Sequence, residues 1–247
     1  MTPSPLLFLK LITSFIIRPL QYRRTWAHLN YAFFSGWRYD SEAPEQAVKG
    51  GLKKRAYKSY EDYIRQQQSK LNIVHDGLKS QYDERCNRFK TSFSHHLADK
   101  PVQSVLCLGA RDGVEVDALR QLGHLAIGID IAYPKENKFV HYGDFHNLPF
   151  PNGSFDYAYT NAFDHTFDQL KVLEEVARVL KPETARFILD VPQGEGEIDT
   201  FESFGWENHQ KLVDFLNAAG FSVEETRRRH EDDDYVQLLL KYESKAG

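Results

Sequence analysis

The two parts of this chain differ in how their hydrophobic residues are spaced. After Pro101, short apolar runs alternate with stretches in which apolar residues recur every three or four positions. Such alternation is typical of βαβ units, in which helices connect parallel strands. We therefore expect an α/β fold with a doubly wound, mostly parallel sheet. The apolar runs predict seven strands: Ser104–Leu108, Ala126–Ile129, Phe139–His141, Phe155–Thr160, Arg186–Val191, Phe221–Glu225 and Tyr235–Tyr242.

Helices are predicted between these strands and in the preceding part of the chain. Leu170–Leu180 and Leu212–Ala219 each place their apolar residues on one face. The N-terminal part is rich in Tyr, Arg, Lys and Gln and lacks strand alternation, so it predicts helices at Tyr57–Leu71 and Ile73–Leu97 and a loop at Ser35–Gly51. We expect two parts, a helical extension over residues 1–97 and a main domain over residues 98–247.

Charge also divides the chain. Residues 1–100 carry 17 Lys and Arg and 9 Asp and Glu, whereas residues 101–247 carry 14 and 26, and the net charge is −4. The basic part can contact phosphates, an anionic membrane surface or the acidic part of its own chain. The overall acidity and the absence of a recognisable RNA-binding module make nucleic acid an improbable partner.

The first residues contain the apolar run Leu6–Ile17, which Lys10 interrupts. This run is shorter than the roughly 20 residues that span a bilayer. It also lacks the basic leader and the small-residue cleavage site of a signal peptide. Two interpretations stay open: peripheral membrane contact through residues 6–24, or a helix docked on protein. Cys86 and Cys107 form no disulfide framework, so we expect a cytoplasmic protein, with or without membrane association.

A glycine turn follows the first strand after Pro101. Gly109 and Gly113 let the backbone turn tightly and approach a ligand, and the following helix start offers unpaired N–H groups. A dinucleotide fingerprint would need glycines where Arg111 and Val114 stand, which disfavours a pyrophosphate ligand.

Acidic residues follow the next two strands. Asp130 ends a strand 17 residues beyond Gly113, where a carboxylate can accept hydrogen bonds from two ribose hydroxyls. Asp144 follows the third strand and can accept from an adenine amine, while Phe145 can pack on the ring. Because parallel strands end at one edge of a sheet, these residues predict a single crevice for a nucleoside.

The ordered set of these segments resembles the class I S-adenosylmethionine-dependent methyltransferases, particularly their small-molecule branch. The matching segments cover about residues 100–245 and are VLCLGARDG (Val105–Gly113), GID (Gly128–Asp130), GDFHNLPFPNGSFDYAYTN (Gly143–Asn161), LEEVARVLKPE (Leu173–Glu183) and LVDFLNAAGFSVEE (Leu212–Glu225). The resemblance implies a Rossmann-like methyltransferase fold with a final antiparallel hairpin, and S-adenosyl-L-methionine as cofactor. It implies these cofactor-binding residues: Gly109, Ala110, Arg111, Gly113, Asp130, Ile131, Asp144, Phe145 and Asn161.

The sequence departs from the family pattern at three places. Cys107 stands where an acidic residue is usual, Arg111 stands where a glycine is usual, and Glu183-Thr184 replaces a glycine pair. Arg111 matters most, because it either holds the cofactor carboxylate or fills the cofactor site.

Catalysis by such a protein requires mainly that an acceptor be positioned and, for an oxygen or nitrogen atom, deprotonated. His165 is the first candidate base and Asp164 the second, since both follow the fourth strand; capping of the loop is the alternative role for His165. We expect no metal site, because the histidines lack paired ligand spacing: His95, His96, His141 and His146.

Two segments are predicted to cover the crevice. One is the basic aromatic region around Tyr57–Tyr63, and the other is Gln193–Trp206, whose Phe201, Phe204 and Trp206 either shield an acceptor or anchor the loop. The acceptor is then a small molecule or a glycan. The alternatives are a catalytically silent scaffold of the same fold and a nucleic-acid methyltransferase.

Overall fold

A computed structural model describes residues 45–48, 50–69, 81–132, 137–193, 198, 202–232 and 234–243. The strands are β1 (Glu45–Val48), β2 (Leu52–Arg55), β3 (Ser104–Leu108), β4 (Leu125–Asp130), β5 (Val140–Tyr142), β6 (Tyr157–Thr160), β7 (Arg186–Pro192), β8 (Phe204–Trp206), β9 (Phe221–Arg228) and β10 (Tyr235–Tyr242). The helices are α1 (Tyr60–Ser69), α2 (Tyr82–Leu97), α3 (Val114–Gln121), α4 (Gln169–Val179) and α5 (His209–Ala218), and Phe163–His165 forms a 3₁₀ turn.

Seven strands form the main sheet, in the order β5-β4-β3-β6-β7-β10-β9. The first five are parallel, whereas β10 runs antiparallel to both β7 and β9. This confirms the predicted fold class and the final antiparallel hairpin. Strands β4 and β5 lie on one side of β3, and the later strands of the sheet lie on its other side. The crevice at the carboxyl ends of β3 and β6 is therefore the expected ligand site of the sheet.

Helices cover both faces of this sheet, as a doubly wound fold requires. Alternate residues of β3 face opposite layers, because side chains along a strand point to alternate sides. Val105 and Cys107 pack in a cluster with α2 and α3, whereas Leu106 and Leu108 pack in a cluster with α4 and α5. The central strands are consequently buried on both faces, which explains why their sequences are continuous apolar runs.

The N-terminal part contains strands that the sequence analysis did not predict. Strands β1 and β2 form a hairpin around Gly50 and Gly51, whose φ angles are +95° and +78°. Strand β2 also pairs with β8, so the three strands form a separate antiparallel sheet. The prediction of a helical and loop-like region was wrong here, because these short strands are stabilised by pairing with a distant segment rather than by their own alternation.

The two predicted N-terminal helices are present over the described residues. Helix α1 begins at Tyr60, and α2 begins at Tyr82. Helix α2 packs on the main sheet through Phe89 and Phe93, whose ring centroids lie 5.9 and 4.8 Å from that of Tyr159. The predicted division at residue 97 remains a prediction, and α2, on its N-terminal side, is part of the main core.

Two expectations concern residues outside the described part of the chain. These are the membrane or docking role of residues 6–24 and the contribution of Phe201. Across the described ranges, none of the helices has the length and apolar character needed to cross a membrane.

Candidate functional site

A crevice lies at the carboxyl ends of β3, β4 and β6, as the topology predicts. It encloses about 340 Å³ of space between protein atoms, including its opening to solvent. Six residues predicted from the sequence line it, and four others complete the lining: Gly109, Arg111, Asp130, Ile131, Phe145 and His165, with Tyr63, Gln67, Ala132 and Ala162.

The glycine turn between β3 and α3 has three residues with left-handed backbone. The φ angles are +73° at Gly109, +37° at Arg111 and +77° at Gly113. The amides of Gly109 and Ala110 donate to the carbonyl of Ile129 at 2.9 and 3.0 Å, which fixes the turn against the end of β4. A Cβ atom on Gly109 would lie 2.9 Å from Cβ of Ala162, so only glycine fits there.

Asp130 holds this turn together at the end of β4. Its Oδ2 accepts from the amide of Arg111 at 2.9 Å, and its Oδ1 accepts from the amide of Ala132 at 2.7 Å. The residue is buried, with 6% of its surface exposed, yet it lines the crevice. Two backbone donors thus orient a carboxylate at the predicted ribose position.

Arg111 lies in the crevice with a strained backbone and a half-buried side chain. Left-handed φ angles cost non-glycine residues about 1 to 2 kcal/mol. A glycine, which the resemblance predicts at this position, would adopt this backbone without strain. The Arg111 guanidinium makes no hydrogen bond or ion pair with the part of the chain that the structure describes.

Asp144 and its neighbours form a hydrogen-bonded cluster after β5. Asp144 Oδ1 accepts from the amide and Nδ1 of His146 at 2.9 and 2.7 Å, and its Oδ2 accepts from the hydroxyl of Tyr60. Burial acts to raise the pKa of Asp144, but these hydrogen bonds outweigh it and hold that pKa below its usual range. Phe145 lines the crevice, whereas Asp144 is not among the lining residues.

The 3₁₀ turn after β6 presents the candidate base. The amide of His165 donates to the carbonyl of Ala162 at 3.1 Å, and the imidazole lines the crevice. His165 Nε2 lies 3.8 Å from Oδ1 of the buried Asp164. Ligand atoms of Asp164, His165 and Glu202 lie within 4.8 Å of one another, so the imidazole faces two carboxylates. Glu202 could not be identified from the sequence, because only the packing of the β8 segment against this turn brings it close to His165.

Besides Asp144, three other predicted cofactor residues are not among the residues that line the crevice. Ala110 is buried, with 1% exposure, and Gly113 precedes α3 with its backbone against Asn137 and Val140. Asn161 follows β6 and is half-buried. Their contact with cofactor remains a prediction, while the structure gives Ala110 and Gly113 clear packing roles.

Helix α1 supplies two lining residues from the N-terminal aromatic region that was predicted to cover the crevice. Tyr63 and Gln67 reach the crevice from this helix, and both are buried. Gln67 Nε2 lies 3.5 Å from Ser203 Oγ, which is itself 2.6 Å from the hydroxyl of Tyr57. The sequence feature that could have identified these lining residues is the combination of glutamines and tyrosines at helical spacing. A helix face that only packs in a hydrophobic core would not carry several amide side chains.

The aromatic residues of β8 have a structural role. Phe204 and Trp206 are fully buried, and Phe204 packs against Phe163 and Phe215 at centroid distances of 5.9 and 5.6 Å. They therefore anchor the loop. Neither ring lines the crevice.

Comparisons with known proteins agree with this architecture. A family model described as a methyltransferase domain matches residues 106–188. The structure is similar to a Burkholderia thailandensis 1,6-didemethyltoxoflavin-N1-methyltransferase bound to 1,6-didemethyltoxoflavin and S-adenosylhomocysteine, with 18% identity, a TM-score of 0.62, and coverage of 81% of this chain and 99% of that one. Among curated proteins, no relative matches this sequence significantly.

Two further solved structures share the fold. One is an S-adenosylmethionine-dependent methyltransferase from Aquifex aeolicus, with 18% identity, a TM-score of 0.52, and coverage of 67% and 96% of the two chains. The other comes from a complex of the Haloferax volcanii Trm112 methyltransferase activator with a methyltransferase, with 20% identity, a TM-score of 0.51, and coverage of 66% and 94%.

Proposed function

Because this chain is a class I S-adenosylmethionine-dependent methyltransferase by domain match and fold, we propose that it methylates an oxygen or nitrogen atom of a small polar acceptor. The observation that carries the proposal is one crevice in which Gly109, Asp130 and Phe145 lie together with His165. Groups suited to a nucleoside and a group suited to proton transfer are therefore adjacent.

The residues of the crevice fit the cofactor S-adenosyl-L-methionine. Asp130 offers a carboxylate for the ribose hydroxyls, and Phe145 offers an apolar face for the adenine. Arg111 offers a guanidinium that can pair with the carboxylate of the methionine part. When bound, the cofactor supplies a methyl group that its sulfonium already activates.

Gln67 and His165 bring polar groups into the crevice, which favours a hydroxyl or amine acceptor. The Gln67 amide carries donor and acceptor groups, and an imidazole can accept the proton that such an acceptor loses. Asp164 and Glu202 stabilise a protonated imidazole through their charge, since their oxygens face His165. The Burkholderia relative binds a small-molecule acceptor, which supports the same substrate class here.

A transfer assay tests this function. Full-length protein is incubated with methyl-labelled S-adenosylmethionine and, separately, with low-molecular-mass metabolites, glycans, RNA or DNA. We expect label in the low-molecular-mass or glycan fraction and its loss by about 10²- to 10⁴-fold in His165→Gln, the usual contribution of a general base.

His141→Gln is the matched control, because His141 is an exposed histidine on β5. It should retain the wild-type rate. Label found only in nucleic acid, or no turnover with any fraction, would refute the proposal.

A further inference from the structure

Helix α1 forms one wall of the crevice, opposite the strand ends. Tyr63 and Gln67 line the crevice from this helix, and Tyr63 packs with Ile131 and Ala132 beyond β4. A ligand in this crevice would therefore contact α1 as well as the strand ends.

Two side chains of α1 attach it to successive strand ends. The hydroxyl of Tyr60 donates to Asp144 after β5, and Gln68 Nε2 donates to the carbonyl of Ile131 after β4 at 3.2 Å. These are the two strand ends at which the nucleoside is predicted to bind. The first attachment involves an ionised carboxylate and is the stronger, because hydrogen bonds to charged groups contribute about twice as much as neutral ones.

The cluster around Asp144 makes this attachment specific. His146 Nε2 accepts from the amides of Phe167 and Asp168 at 3.2 and 3.1 Å, so the proton of a neutral His146 resides on Nδ1 and points to Asp144. An ionised carboxylate has about four lone-pair sites. Within the described residues, His146 uses two and Tyr60 uses one. Asp144 does not itself line the crevice but precedes Phe145, which does, so its remaining acceptor site is the one that the adenine amine would use.

We propose that Tyr60 is a positioning residue that clasps α1 over the bound cofactor through Asp144 and thereby sets the rate at which the cofactor product dissociates. This inference rests on the proposed function, because it assigns the adenine to the Asp144 end of the crevice. Tyr60 acts through Asp144 and touches neither reacting atom. Its ring also packs on Phe167 and His146, at centroid distances of 5.2 and 5.6 Å, so loss of the hydroxyl alone leaves the packing in place.

The test compares Tyr60→Phe with Tyr82→Phe. Tyr82 is a matched control, because its hydroxyl donates to Asp117 at 2.6 Å and burial with that hydrogen bond raises its pKa as it does for Tyr60. We expect S-adenosylhomocysteine to dissociate about tenfold faster from Tyr60→Phe than from the wild type. Tyr82→Phe should match the wild type in this rate while losing similar thermal stability.

Hydrogen exchange and a double-mutant cycle complete the test. Without ligand, amides of α1 should exchange faster in Tyr60→Phe, whereas those of α3 should not change. Asp144→Asn and Tyr60→Phe should be non-additive in the dissociation rate, because both break the same contact. Equal dissociation rates in the two tyrosine variants, or additive effects, would overturn the clasp. Failure of the wild type to bind S-adenosylhomocysteine would instead overturn the proposed function, and exchange in α1 would still test the contact itself.

Discussion

Substitution of Arg111 by glycine changes both the backbone strain and the cofactor binding at one position, and stability and affinity report on them separately. Arg111 has a φ of +37°, and its side chain lines the crevice. Glycine removes the strain and the guanidinium together. If the guanidinium binds the cofactor carboxylate, the variant should be at least as stable as the wild type yet bind cofactor more weakly.

The expected magnitudes follow from the geometry. Relief of left-handed strain contributes about 1 to 2 kcal/mol, and the greater backbone freedom of unfolded glycine offsets about 0.5 to 1 kcal/mol. The free energy of unfolding should therefore change by about 0 to 1.5 kcal/mol, in the stabilising direction. Loss of a charge-assisted contact costs about 1.5 to 3 kcal/mol, which corresponds to about 10- to 150-fold in affinity.

Calorimetric titration with S-adenosylhomocysteine and thermal unfolding measure the two quantities. Glu183→Gly is the matched control, because Glu183 is the second non-glycine residue with left-handed backbone among those described, at φ +66°, and lies outside the crevice. It should match Arg111→Gly in stability and the wild type in affinity. Arg111→Ala keeps the strain and should lose affinity to the same extent as Arg111→Gly. Tighter binding by either Arg111 variant would refute the reasoning and show that the side chain obstructs the site.

Two further predictions concern the support of the crevice. Gly128→Ala should lower the free energy of unfolding by about 1 to 3 kcal/mol, because its Cβ would lie 2.5 Å from that of Ala110 and 2.9 Å from Cγ2 of Val116; unchanged denaturant unfolding would contradict it. Burial, with the charge of Asp112, raises the pKa of Glu115 to about 8, so its contribution to stability is present below about pH 4.5 and lost as the pH rises through 8. As the pH rises from about 4.5 to 8, Glu115→Gln should therefore lose less thermal stability than the wild type. Melting temperatures that fall equally with pH in both proteins would disprove this.

The main sheet could be predicted because its signals are local. Each strand near β3 is an apolar run, and Gly109 and Asp130 mark the strand ends that form the crevice. Parallel topology then brings these ends together without further information. The same signals pointed to the segment after β6, and His165 of that segment lines the crevice.

The segments that cover the crevice were named from the sequence, but their structure and partners could not be predicted, because these depend on contacts between distant residues. Leu52 pairs with Trp206, and Tyr60 reaches Asp144 across 84 positions of the chain. Tyr63 lies in the segment predicted to cover the crevice, and it is buried there, with 1% exposure. The sequence of α1 does not reveal what its buried face contacts. In the structure this face forms one wall of the crevice.

Calorimetric titration of the full-length chain with S-adenosylhomocysteine, for the wild type and Asp130→Ala, tests the central claim most directly. The account predicts micromolar binding at one site in the wild type and none in Asp130→Ala. Asp156→Ala serves as the control, because Asp156 accepts from the amide and hydroxyl of Ser104 at 2.9 and 2.7 Å, at the amino end of β3, and its loss should leave binding intact. A folded wild type that binds no S-adenosylhomocysteine at millimolar concentration would contradict the account.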